Sequence, residues 1–168
     1  MPAAICVGCP LNGWLGLFAD LYARTYPNEV AGIVFVDCPH PEEIKEQKKF
    51  KLPKVLQLAN TALNLIDKWF DRYVHSEDEN LTTTVAQIQR ADNLPDIPIS
   101  IVSGQKKMPF VPPAAFAMHQ AYQQKLLDLS PHAKQYLCHN SGHFPQITEP
   151  EIVISSIVEI MADIDSNK

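Results

Sequence analysis

The chain has 168 residues, of which 46% are hydrophobic and 20% are charged, a composition typical of one globular domain with a sizeable core. Its formal net charge is −5 and its longest basic block is Lys48-Lys49 plus Lys51, so nucleic acid is not an expected partner. No apolar run approaches the roughly 20 residues that span a bilayer, and no charged leader precedes an apolar stretch with a cleavage site. We therefore expect no membrane association and a cytoplasmic location.

Short runs rich in Val and Ile alternate with longer segments of helical period, which predicts an α/β fold with a parallel sheet and helices on its faces. The predicted strands span residues 3–7, 31–36, 97–102 and 134–138. Each run is apolar enough to predict a strand buried on both sides. A helix over 14–26 follows the first strand and ends at Pro27, and a last helix begins after Pro150 and Glu151.

About 60 residues separate the second predicted strand from the third, more than a simple crossover needs. They predict an insertion of three helices, over 42–51, 55–73 and 81–90. Pro53 separates the first two helices, and the acidic segment 76–80 (SEDEN) is expected to form a turn before the third. We interpret the whole chain as a single domain with 41–94 as a helical insertion.

Two segments of the sequence resemble the α/β-hydrolase fold family. Residues 21–37 (LYARTYPNEVAGIVFVD), with His40-Pro41 after them, are similar to the helix after the family's nucleophile and the strand that follows it. Residues 141–146 (SGHFPQ) are similar to the loop that carries the family's catalytic histidine. The resemblance implies a mostly parallel sheet of about four strands and a helical cap at 41–94. It covers only the C-terminal half of the usual fold, so the chain is expected to be truncated relative to the family.

The resemblance implies that His143 is a general base on a loop at the carboxyl edge of the sheet, the alternative being a loop histidine bonded to the backbone. Its acid is expected at Asp37, where some family members have it, because residues 103–108 after the third strand contain no carboxylate. Capping of the loop that leads into Pro41 is the structural alternative for Asp37. A catalytic pair predicts about 2.6 to 3.2 Å between the Asp37 carboxylate and a ring nitrogen of His143.

The nucleophile motif is degenerate. The family places its nucleophile in G-x-S-x-G, on a sharp turn where backbone N–H groups also stabilise the oxyanion. Counting back from the first helix puts that position at Gly13, and counting forward from the first strand puts it at Pro10, and neither residue has a nucleophilic side chain. Cys9 is the nearby candidate, although it follows Gly8 directly where the motif has one more residue. Its alternative is a small apolar residue at a strand end.

Other chemistry-bearing side chains have less specific signals. Four cysteines are too few for a disulfide framework, and Cys6, Cys9, Cys38 and Cys138 permit a zinc site only without paired ligand spacing, so we expect buried thiols, no metal and no cofactor. We expect His75, His119 and His132 to be solvated. The candidate substrate-pocket residues are Trp14, His40, Trp69, Phe70, Tyr73 and Phe144.

The resemblance implies hydrolysis of a small apolar ester or acyl substrate through a covalent intermediate, with the nucleophile missing or displaced. The alternative is a non-catalytic remnant of a hydrolase, acting as a ligand-binding or interaction module. In the family's strand order the first predicted strand is central, so its outer edge would be open here. A second copy of the chain or a complementing chain is therefore an expected partner at that edge, beside a small-molecule substrate or ligand.

Overall fold

The computed structural model describes residues 4–8, 15–47, 49–50, 74–109 and 111–166. Within them, four strands form one parallel sheet in the order β1-β2-β3-β4. The predicted α/β class is confirmed, and the strand ends lie within two residues of the predicted ones. The strands are β1 (Ala4–Gly8), β2 (Val30–Val36), β3 (Ile99–Gly104) and β4 (Ala133–Cys138). The helices are α1 (Leu15–Thr25), α2 (Pro41–Gln47), α3 (Val74–Arg90), α4 (Pro113–Lys125), α5 (Pro145–Thr148) and α6 (Pro150–Ser166), with a 3-10 turn at Leu126–Leu129.

The two central strands supply the core because their side chains are apolar on both faces. Ile33 and Phe35 of β2 belong to a buried cluster that includes Ala23 of α1 and Leu126 of the 3-10 turn. Val34 belongs to a second cluster that includes residues of α6. Successive strand residues point to opposite faces, so this division places helices on both sides of the sheet.

Burial on both sides was predicted for every strand, and this prediction is wrong for β4 and for Val7 of β1, which is 46% exposed. In β4, Leu137 is 43% exposed and Lys134 is also exposed. The Lys134 ammonium lies 2.7 Å from Glu159 and 2.8 Å from Asp163, both on α6. β4 pairs with β3 on one side, and an edge strand tolerates a charged residue that a central strand would not.

The insertion packs on α1 through an apolar cluster of Leu17, Ile44, Leu81, Val85 and Ile88, which joins α1, α2 and α3. The turn predicted at 76–80 is wrong, because α3 begins at Val74 and continues through these residues. Acidic residues are favourable near the amino end of a helix, where they interact with the helix dipole, so this acidic run is compatible with a helix start. The predicted helix at 55–73 lies outside the described residues.

Helix α4 was not predicted from the sequence. It follows Pro112, with Pro113 in its first turn, and most of its residues are half-buried or exposed without a clear apolar stripe. Its buried side chain is the polar Gln123. A polar inward face gives no hydrophobic periodicity, which is why the pattern failed to reveal the helix. Among the described helices none is long and apolar enough to cross a membrane.

Candidate active site

The candidate site lies at the carboxyl edge of the sheet. Asp37 follows β2 directly, and its backbone has a φ of 47°, a left-handed conformation that Asp adopts more readily than most residues. Its N–H donates to the Val102 carbonyl at 2.7 Å, which holds the residue against β3. The Asp37 side chain is buried, so its carboxylate needs hydrogen-bond donors from the protein.

Asp37 and His143 are in contact. Nδ1 of His143 lies 2.8 Å from Oδ2 of Asp37, within the distance expected for this pair. The other oxygen, Oδ1, accepts the Gly104 N–H at 2.9 Å. The His143 side chain is 35% exposed, and its ring packs edge-on against Phe144 with centroids 5.2 Å apart. One edge of the imidazole is therefore held by a buried acid while the ring is open to solvent.

A second histidine contacts the same acid. Nε2 of His119 lies 3.3 Å from Oδ1 of Asp37, and its Nδ1 lies 2.8 Å from Oε1 of Glu43. The expectation that His119 is solvated is wrong, because α4 crosses the end of the sheet and turns its polar face inward. The same expectation is confirmed for His132, which is exposed beside Asp96. The side chain of His75 lies outside the described residues.

Asp37 and His119 each stabilise the charged form of the other. Burial raises the pKa of Asp37, but the hydrogen bonds from His119 and His143, the charge of His119 and the Gly104 N–H outweigh burial and lower that pKa to about 2. Burial lowers the pKa of His119, but the hydrogen bonds and charges of Asp37 and Glu43 raise it to about 10. At neutral pH the site therefore contains an ionised Asp37 and a cationic His119.

The side chains of His40 and Glu43 cap the amino end of α2. The Glu42 N–H donates to Nδ1 of His40 at 3.1 Å, and the His40 N–H donates to the Glu43 carboxylate at 3.3 Å. This is a reciprocal cap, in which each side chain satisfies a backbone N–H at the helix start. The His40 ring also stacks on Tyr122 of α4, and burial lowers the pKa of His40, which favours the neutral ring that accepts this bond.

Two amides of α4 hold the strand ends. Gln120 donates to the Gly104 carbonyl at 2.8 Å, and Gln123 donates to the Cys38 carbonyl. Ser103 donates in turn to the side-chain oxygen of Gln123 at 2.9 Å. Residues 119, 120 and 123 share one helix face, and this spacing is the signal in the sequence that would have revealed them once α4 was known.

Buried hydrogen bonds fix the loop that carries His143. The Ser141 hydroxyl donates to Glu149 at 2.6 Å, and the Asn140 N–H donates to the same carboxylate at 2.9 Å. These bonds lower the pKa of Glu149. The Lys106 N–H donates to the Ser141 carbonyl at 2.8 Å, which joins this loop to the one after β3. The loop that carries His143 is thus held in one conformation by hydrogen bonds on both sides of its polar motif.

Several predicted residues lie outside the described part of the chain. These are the degenerate nucleophile position Gly13, the candidate nucleophile Cys9 and the pocket candidates Trp14, Trp69, Phe70 and Tyr73. Within the described residues no three His, Cys, Asp or Glu side chains are grouped to hold a metal ion. Cys38 donates its thiol to the Gly8 carbonyl at 3.1 Å, and burial raises the pKa of the Cys138 thiol to about 11.

The acid beside His143 decides which of its ring nitrogens carries the proton in the neutral ring. An ionised carboxylate only accepts hydrogen bonds, so Nδ1 of His143 carries a proton that it donates to Asp37. In the neutral ring the lone pair is then on Nε2, and no residue in the described ranges hydrogen-bonds that atom. The pair is able to act as a general base toward a molecule at the edge of the sheet.

No protein-family model and no curated protein sequence matches this chain. Solved structures do match. An α/β-hydrolase enzyme from the metagenome of lagoon sediments at Mar Chica, Morocco, has a TM-score of 0.54 and 17% identity over 97% of this chain. Est816, an N-acyl homoserine lactone degrading enzyme, has a TM-score of 0.53 and 15% identity over 94% of this chain. BpoC of Mycobacterium tuberculosis H37Rv has a TM-score of 0.51 and 14% identity over 96%.

The chain spans 63% of the length of the Mar Chica enzyme and 67% of each of the other two proteins. At such low identity these comparisons report on the fold and not on the activity. The parallel sheet with helices on both of its faces agrees with them. The chain therefore has the fold of the α/β-hydrolase family.

Proposed function

We propose that this chain hydrolyses a small apolar ester or acyl compound, with His143 as the general base and Asp37 as the acid that orients it. The observation that carries the proposal is the 2.8 Å contact between Nδ1 of His143 and the buried carboxylate of Asp37. A buried, ionised acid fixes the ring and stabilises the imidazolium that forms when Nε2 takes a proton. Phe144 packs against the His143 ring, which supports assigning it a contact with the apolar part of the substrate.

The chemistry needs a nucleophile that gives its proton to Nε2 of His143. Segment 9–14 (CPLNGW) has no hydroxyl side chain, so the candidates are the Cys9 thiol and a water molecule. The nucleophile attacks the acyl carbon while Nε2 takes its proton. When the tetrahedral intermediate collapses, the bond between the acyl carbon and the leaving oxygen breaks, and that oxygen takes the proton from Nε2. With water this releases the acid directly, and with Cys9 it leaves an acyl thioester that water then hydrolyses in the same way.

The helical insertion is part of the proposal. We place a cap at 41–94, because α2 and α3 pack together on α1 and α2 brings Glu43 into the site. His40 directly precedes this segment and caps α2, so its proposed contribution to the pocket wall depends on the position of that helix.

A second function is favoured by one observation, the absence of a serine in segment 9–14. A chain that keeps the acid and the base but has no nucleophile would bind a small apolar ligand under its cap without converting it. This places the protein among binding modules and not among enzymes.

Hydrolysis of p-nitrophenyl butyrate separates the two functions. We expect measurable turnover that falls by about 10²-fold or more in His143→Ala, because a general base contributes at least that much. His132→Ala is the matched control, since His132 is an exposed histidine away from the site. Cys9→Ala then distinguishes the thiol from water as nucleophile. Turnover unchanged in His143→Ala would contradict the proposal, and saturable ester binding without turnover would establish the binding module.

A further inference from the structure

We propose that Glu43, His119, Asp37 and His143 act as one hydrogen-bonded chain, in which His119 is a positioning residue, held as a cation, that controls how readily His143 takes up a proton. The inference rests on the proposed function for the role of His143 as base. The coupling itself is a property of the folded protein and can be measured without any turnover.

The geometry divides the two oxygens of Asp37 between the two histidines. Oδ2 contacts Nδ1 of His143 at 2.8 Å, whereas Oδ1 is shared by the Gly104 N–H at 2.9 Å and Nε2 of His119 at 3.3 Å. The carboxylate is therefore held on one side so that its other oxygen points at His143. The side chain of Asp37 is 4% exposed, that of His119 18% and that of Glu43 1%, so water screens their charges little.

Both ring nitrogens of His119 face carboxylate oxygens. A neutral imidazole has one N–H and would leave one carboxylate against a lone pair, whereas the imidazolium donates to both. The charged groups that contact the ring are Asp37, after β2, and Glu43, on α2. Its own helix contributes the neutral amides of Gln120 and Gln123 nearby. The pKa of His119, raised to about 10, agrees with this reading of the contacts.

A cation at His119 reduces the pull of Asp37 on a proton at His143. With His119 charged, Glu43, His119 and Asp37 together carry one negative charge, and the cation lies against the same carboxylate that His143 contacts. Without that cation the negative charge of Asp37 acts on the His143 imidazolium uncompensated. His119 therefore weakens the electrostatic attraction between Asp37 and a proton on His143.

The test is a titration of the histidine rings by NMR with ¹⁵N-labelled histidine, comparing the wild-type chain with His119→Gln. Glutamine keeps a side-chain N–H donor and removes the charge. We expect the midpoint of the His143 titration to rise by about one pH unit, the lower end of the effect of a nearby charge, because Asp37 lies between the two rings. His132→Gln, which removes an exposed histidine, is the control and should leave the midpoint in place. A midpoint that is unchanged or lower in His119→Gln overturns the proposal.

Glu43→Gln provides a second test that keeps His119 in place, in case His119→Gln does not fold. Removing one of the two carboxylates should lower the titration midpoint of His119 by about one pH unit or more. A purely structural role for Glu43 would leave that midpoint unchanged, and this result would also overturn the proposal. Ester turnover does not enter either measurement, so failure of the proposed function and failure of the coupling give different results.

Discussion

A Cβ atom on Gly104 would lie 1.9 Å from the carbonyl oxygen of Gly142, so the end of β3 and the loop that carries His143 are in direct backbone contact. The same Gly104 donates its N–H to Asp37 and accepts a hydrogen bond from Gln120 at its carbonyl. One residue without a side chain thus joins the acid, the base loop and α4. The position of His143 relative to Asp37 depends on this contact.

Gly104→Ala should therefore destabilise the protein and separate the two loops. Because the clash is with backbone, which cannot rotate away, we expect a loss of about 3 kcal/mol in the free energy of unfolding, the upper end for overpacking. Urea denaturation measures this loss. Gly142→Ala is the matched control, since the nearest atoms to its Cβ are 3.1 Å away and one belongs to the flexible Met108 side chain. Equal losses in the two variants would contradict the importance of the Gly104 contact.

Asp37→Asn should change how stability depends on pH. In the folded protein the pKa of Asp37 is lowered to about 2, below its unfolded value. The stability it contributes is therefore present above about pH 4 and lost as the pH falls toward 2, a change of about 2 kcal/mol. In Asp37→Asn that change is absent. The difference in the free energy of unfolding between wild type and variant should therefore become smaller as the pH falls from about 4 toward 2. Urea unfolding at several pH values measures this difference, and Asp96→Asn, at an exposed carboxylate, is the control. Wild-type and Asp37→Asn stabilities that fall in parallel with pH would contradict the prediction.

Ser141→Ala should loosen the loop that carries His143. The variant removes a buried hydroxyl that donates to Glu149 at 2.6 Å, and hydrogen bonds to charged groups are worth about 1.5 to 3 kcal/mol. We expect a loss of this size and faster amide hydrogen exchange at 139–144. Ser166→Ala is the control, because Ser166 bonds an exposed carbonyl in the last turn of α6. Unchanged exchange at 139–144 would show that Glu149 does not hold the loop.

The 168-residue chain, expressed by itself, should self-associate through β1. In the described residues β1 pairs with β2 on one side, and Val7 is 46% exposed. An unpaired apolar edge is a template for strand pairing, and a lysine on it disfavours such pairing. Light scattering at micromolar concentration should therefore show a dimer or larger species that Val7→Lys dissociates. Val158→Lys, on the exposed face of α6, is the control, and dissociation by that variant instead would place the contact on α6.

The order of strands and helices followed from local patterns because those patterns reflect local physics. Val- and Ile-rich runs in β2 and β3 become buried strands. Pro27 lies just after α1, which it cannot continue, and Pro150 begins α6, where its missing N–H costs no helical hydrogen bond. The predictions from these patterns were wrong where the same segment was compatible with two types of secondary structure. The acidic run 76–80 suits a turn as well as a helix start, and in the structure it continues into the part of α3 that packs on α1 through Leu81, Val85 and Ile88.

The sequence by itself determined the fold class, and through the family resemblance it predicted the pairing of Asp37 with His143, with a capping role left open for Asp37 until the structure showed the contact. Only the tertiary structure decided that His119 and Glu43 join them. His119 lies 82 residues from Asp37 and 76 from Glu43, on a helix with no apolar stripe. Contacts between polar side chains so far apart leave no periodicity in the sequence, because they depend on how α4 and α2 pack at the end of the sheet.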